Sequence, residues 1–107
     1  MNTVPLLSCS ILELMKLWGE LTKALHGIGG NAIDIRLAHL AHSALLVELV
    51  PGAEADPTAA ADALYVVCAW FAKTHECKVE IDGWTPEEWI GKVTPHLDAE
   101  YRVRVTE

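Results

Sequence analysis

The sequence has few basic residues and no apolar run long enough to cross a membrane. Eight Lys and Arg stand against fifteen Asp and Glu, which gives a formal charge of -7. Because such a chain repels a phosphate backbone, we expect no direct binding of nucleic acid. The most apolar stretch, residues 63–72, has about half of the roughly 20 residues that a membrane-spanning helix needs. We therefore predict a cytoplasmic protein that does not bind membranes.

Cysteine is also scarce, and its spacing matches no metal or disulfide motif. Cys9, Cys68 and Cys77 are odd in number, show no CxxC spacing, and lie in or beside apolar sequence. This pattern is typical of reduced thiols in a cytosol.

Since 51% of the 107 residues are hydrophobic, we expect residues 1–107 to fold as a single domain rather than remain disordered.

The most apolar stretch lies inside a predicted helix over about 57–75. Asp56 is its expected N-cap, and Pro57 fits the first helical position. Apolar side chains lie nearly all around this helix, so its neighbours must cover it, and we place it at the centre of the fold. Val66 and Trp70 form a face of their own. If the fold leaves that face open, it is the first place to look for function.

Two further helices are predicted before it, which together make an antiparallel three-helix core. The first covers about 11–26, with a capping box at Ser10–Glu13 and Gly27 as its end. The second covers about 32–50, where two apolar stripes leave only a narrow polar strip.

The C-terminal part changes from helical to alternating spacing. Residues 78–82 and 101–105 each alternate polar and apolar side chains, which predicts two short strands, and opposite charges on their outer faces favour pairing. Parallel and antiparallel pairing both remain open. Between them, a capping box at Thr85–Glu88 starts a short helix over about 86–94. The predicted fold class is therefore α+β, mainly α.

Histidine and cysteine side chains are the candidates for a metal site or a catalytic centre. A site would draw on four residues from two segments: His39, His42, His75 and Cys77. Glu48 is the carboxylate least explained by helix capping, and it could pair with His42 or His75. None of these residues forms a recognised ligand pair, so exposed or hydrogen-bonded structural roles are the simpler interpretation.

We expect a small non-enzymatic interaction protein that acts without a cofactor. The long helices carry more apolar circumference than one small bundle buries, which favours self-association or a protein partner. We expect Trp18 and Trp70 in the core and Trp84 or Trp89 at the surface. The candidate interaction residues are Val66, Trp70, Trp84 and Trp89. Alternatives are a metal-binding protein or hydrolase, a small-molecule-binding helical domain, and an acidic inhibitor of a nucleic-acid-binding protein.

Overall fold

The computed structural model describes residues 4–29, 33–38, 44–49, 56–96 and 98–106. Together they form an α+β structure in which helices cover one face of an antiparallel sheet. Its helices are α1 (Val4–Gly29), α2 (Pro57–Thr74) and α3 (Pro86–Lys92), and its strands are β1 (Ile33–Ala38), β2 (Ala44–Leu49), β3 (Lys78–Ile81) and β4 (Glu100–Thr106). No helix within these ranges has the length and apolar character needed to span a membrane.

The sheet places the last strand of the chain in its interior. Its order is β1-β2-β4-β3, and each neighbouring pair is antiparallel. Because β4 is antiparallel to both of its neighbours, β2 and β3 run parallel to each other, and α2 connects them. The strands β2 and β3 therefore belong to one sheet only because β4 pairs with both of them.

The predicted helix over 32–50 is wrong, because β1 and β2 form an antiparallel hairpin there. Apolar and charged residues alternate strictly from Ile33 to Leu37, and β2 buries Leu45, Val47 and Leu49. The segment is apolar at so many positions that it fits both the helical period and the period of two of a strand. Pairing with β4, which is distant in sequence, selects the strand.

The predicted three-helix core is consequently also wrong. Instead, α2 packs beside α1 on one face of the sheet, and one hydrophobic cluster takes residues from every helix and strand. Leu17 and Leu21 of α1, Leu64 and Phe71 of α2, and Val103 of β4 are each at most 1% exposed within it. The sheet thus covers α1 and α2, a role that the sequence assigned to the predicted helix over 32–50.

The helix starts follow the local sequence signals at two of three positions. Asp56 caps α2, where its Oδ1 accepts from the Thr58 amide at 3.0 Å, and Thr85 and Glu88 form the predicted capping box of α3. However, α1 begins at Val4 rather than at the capping box of residues 10–13, and it continues past Gly27 to Gly29.

The predicted pairing of the two C-terminal strands is confirmed and is antiparallel, but the strands belong to a four-stranded sheet and not to a separate two-stranded element. Glu80 lies directly opposite Arg104, as the charge pattern indicates. The amide of Asp82 donates to the carbonyl oxygen of Arg102 at 2.8 Å, and Asp82 Oδ1 accepts from the Arg102 amide at 3.0 Å. These contacts extend the pairing into the turn that follows β3.

Candidate interaction surface

Val66 and Trp70 lie on the outer face of α2 and remain open to solvent. Their exposed fractions are 57% and 48%, whereas Leu64, Cys68 and Phe71 point into the core. Four residues separate Val66 from Trp70, so their side chains are neighbours on the helix surface. The prediction that Trp70 belongs to the core is wrong. The sequence marks this face as a functional candidate if the fold leaves it open. The structure leaves it open.

Residues of α1 extend this face into a shallow groove between the two long helices. Glu20, Lys23 and Ala24 lie along one side, and Val66, Val67 and Trp70 lie along the other, around a volume of about 380 Å³. We call this feature the α1–α2 groove. Four of its lining residues are apolar, and Glu20 and Lys23 add one charge of each sign.

The C-terminal end of α2 holds Trp70 in place through ring contacts and a bridge to α1. His75 stacks on Phe71 with 4.1 Å between ring centroids, and the Trp70 ring meets His75 edge-on at 6.3 Å. His75 Nδ1 lies 3.3 Å from Glu13 Oε2, and Lys16 Nζ lies 3.2 Å from Glu13 Oε1. These contacts connect α2 to α1 beside Trp70, which lines the groove.

The same contacts give His75 partners in both α1 and α2. His39 and His42 lie outside the described residues. Within the residues that are described, no group of three or more His, Cys, Asp or Glu side chains could hold a metal ion. His75 and Cys77 follow the same helix end, but the described side chains near them supply no complete ligand set.

Burial raises the pKa of both described cysteine thiols, Cys68 within α2 and Cys77 just after it. Burial strongly raises the pKa of the Cys68 thiol, which is 0% exposed. Partial burial also raises the pKa of Cys77, and the nearby carboxylate of Glu13 raises it further. A thiolate is the reactive species, and both environments disfavour it at neutral pH.

Glu48 lies on the other side of the sheet from His75. Its strand neighbours Val47 and Leu49 are buried beneath the helices, so the alternating Glu48 side chain faces away from them. The alternative in which Glu48 pairs with His75 is therefore not formed in this structure. His42, the other histidine that could pair with Glu48, lies outside the described residues.

The other three tryptophans occupy distinct environments. Trp18 was expected in the core, but it is 45% exposed, and its Nε1 donates to the carbonyl oxygen of Ile35 in β1 at 3.0 Å. Trp84 is 43% exposed, as expected for a surface residue, and Lys92 Nζ lies 4.5 Å from its ring centroid. Trp89 is only 2% exposed, which removes it from the candidate surface residues.

Sequence reasoning found the α2 side of the groove but missed the α1 side. Glu20 and Lys23 are charged and Ala24 is small, and nothing in the local sequence indicates that they face α2. The groove exists because two helices lie side by side on the sheet, which is a property of the tertiary structure.

Comparison of the chain with protein-family models, curated proteins and solved structures finds no match to any of them.

Proposed function

We propose that this protein is a small non-enzymatic interaction module that self-associates through the α1–α2 groove. The observation that carries the proposal is the exposure of Val66 and Trp70, side by side on a helix whose opposite face fills the core. Tryptophan is enriched among residues that dominate binding energy, because it buries a large, rigid surface. Trp70 is therefore the proposed anchor, and Val66 and Val67 provide the apolar surface around it.

The two charged residues that line the groove favour a second copy of the chain as the partner. Glu20 and Lys23 carry opposite charges, and neither makes an ion pair with another described residue. In a two-fold symmetric dimer each surface meets its own equivalent, so Glu20 of one copy can lie opposite Lys23 of the other. Such pairing orients the two copies, while Trp70 provides most of the affinity.

We also propose a cytoplasmic location and no direct contact with nucleic acid or membranes. Cys68 and Cys77 are free thiols, as a reducing compartment maintains them. The net charge of -7 disfavours polyanionic partners, nucleic acid and anionic lipid included.

Light scattering combined with sedimentation equilibrium at micromolar concentrations tests this proposal. We expect a dimer for the wild-type chain, and for Trp70→Ala a dissociation constant raised by roughly tenfold or more, as for a central tryptophan. Trp84→Ala is the matched control, since it removes the same side chain from a different surface with a similar exposed fraction. A monomeric wild-type chain would overturn the self-association, and equal effects of the two substitutions would overturn the assignment to the groove.

A further inference from the structure

The face of the sheet that the helices leave uncovered carries a second cavity, at the end formed by β3 and β4. It has a volume of about 410 Å³ and is lined by Glu80, Asp82, Gly83, Glu100, Arg102 and Arg104. Arg102 and Arg104 are two residues apart on β4, so they project to the same face of the sheet. Glu80 lies on β3 directly opposite Arg104, and Asp82 and Gly83 line the pocket from the turn after β3. We call this feature the sheet-face pocket.

Among the described residues, neither guanidinium group of this pocket has a side-chain partner. Across the described residues, the side chains of Arg102 and Arg104 make no ion pair or hydrogen bond, although Glu80 lies directly opposite Arg104. Arg104 Nε is shielded from solvent and has no acceptor in this part of the chain. A shielded donor without an acceptor is unfavourable, so an oxyanion that accepts from this group would lower the free energy of the folded protein.

The carboxylates of the pocket restrict which ligand it suits. Three carboxylates and two guanidinium groups leave the lining with one net negative charge (2 − 3 = −1). A simple anion meets unfavourable charge from the carboxylates, and a simple cation meets it from the arginines. A molecule with one group of each sign matches both halves, and the volume lies within the usual range for small-molecule sites.

We propose that the sheet-face pocket binds a small zwitterion that carries a carboxylate and an ammonium group, such as a free amino acid. Arg102 and Arg104 receive the carboxylate through paired N–H donors, a geometry that suits the planar guanidinium group. Glu80 and Asp82 receive the ammonium group. Asp82 Oδ1 already accepts from the Arg102 amide, which fixes this carboxylate at the end of the pocket.

This site is separate from the α1–α2 groove, because the sheet lies between them. The helices cover one face through buried residues such as Val79, Ile81 and Val103, and the pocket residues alternate with these on the other face. Ligand binding and self-association can therefore be tested separately, and failure of one leaves the other unaffected.

Titration of the ¹⁵N-labelled chain with γ-aminobutyrate, monitored by amide chemical shifts, tests the proposal. We expect saturable shifts at millimolar ligand for the amides of β3, β4 and Gly83. Butyrate lacks the ammonium group and propylamine lacks the carboxylate, so each is expected to bind roughly tenfold more weakly, the effect of losing one charge-assisted contact. Absence of shifts, or equal affinity for the three compounds, would overturn the proposal.

Substitutions then locate the site. Arg104→Gln is expected to abolish the saturable shifts, and Glu80→Gln to weaken γ-aminobutyrate binding while leaving butyrate binding unchanged. The control is Lys78→Gln, which removes a charge from β3 outside the pocket. If Arg104→Gln does not fold, as judged by circular dichroism, Glu80→Gln decides the outcome. Unchanged binding by a folded Arg104→Gln chain, or by Glu80→Gln, shows that the pocket is not the site.

Discussion

The indole Nε1 of Trp18 donates to the carbonyl oxygen of Ile35 at 3.0 Å, which joins α1 to the edge of the sheet. β1 is an edge strand, and such a strand leaves alternate backbone groups without a strand partner. The indole satisfies one of these groups and covers the strand around it. Trp18 is thus partly exposed because its position is at the margin of the core, beside the edge that it protects.

Removal of this hydrogen bond should lower stability without opening the core. We expect Trp18→Phe to reduce the free energy of unfolding by about 1 kcal/mol, the usual net contribution of one hydrogen bond. Urea denaturation followed by circular dichroism measures the change. Trp84→Phe is the control, because the indole of Trp84 donates no hydrogen bond to the described residues. Equal losses for the two variants would show that the bond to Ile35 does not contribute.

Phe71 is expected to be essential to the packing of α2. It is 0% exposed and stacks on His75, so Phe71→Ala leaves a cavity and should cost about 3–5 kcal/mol in the free energy of unfolding. Val66→Ala on the outer face of the same helix should change stability by less than about 0.5 kcal/mol in the monomer. Urea denaturation at protein concentrations too low for self-association measures both changes. A large loss for Val66→Ala would indicate that this face is packed rather than open.

The capping box of α3 offers a test of local sequence determinants. Thr85 Oγ1 accepts from the Glu88 amide at 3.2 Å, and the Glu88 side chain contacts the Thr85 amide in return. Thr85→Ala should therefore destabilise the protein by about 1 kcal/mol. Thr74→Ala at the end of α2 is the matched control, since this exposed hydroxyl makes no hydrogen bond to a described residue. If both variants lose the same stability, the capping interaction is not the cause.

The thiol of Cys77 should react slowly at neutral pH. Its pKa in the folded protein is raised, first by burial and then by the charge of Glu13, so the thiolate is scarce. In a Cys9→Ser background, we expect the rate of alkylation by iodoacetamide to rise only at alkaline pH. Glu13→Gln should shift the rate profile to lower pH, and Glu20→Gln should leave it unchanged. An unshifted profile in Glu13→Gln would contradict the electrostatic contribution.

The same shift carries a consequence for stability. Because the folded-state pKa of Cys77 lies above the unfolded value, the folded chain retains the proton where the unfolded chain releases it. The contribution of Cys77 is therefore fully present below the unfolded pKa and is lost as the pH rises through the folded pKa. Urea midpoints measured across the alkaline range should fall less for Cys77→Ser than for the wild-type chain. An identical fall in both would remove Cys77 as a contributor.

The sequence by itself determined the features that depend on neighbouring residues. The start of α2 follows from Asp56–Pro57, and the start of α3 follows from the Thr85 capping box. In both cases the hydrogen bonds join residues only two or three positions apart. The period of two in the C-terminal strands, with charges of opposite sign on their outer faces, likewise indicated that they pair. The exposed Val66 and Trp70 face was marked as a candidate by its separation from the main apolar face of α2.

Only the tertiary structure decided which of two compatible patterns an apolar segment adopts. The residues from Ile33 to Leu49 fit a helix as well as a hairpin, and pairing of β2 with the C-terminal strand selects the hairpin. The hairpin replaces the predicted helix over 32–50, so α1 and α2 lie on one face of a sheet. This arrangement creates both the α1–α2 groove and the sheet-face pocket. The physical reason is that strand pairing satisfies backbone groups between distant segments, so no local window of sequence contains its free energy.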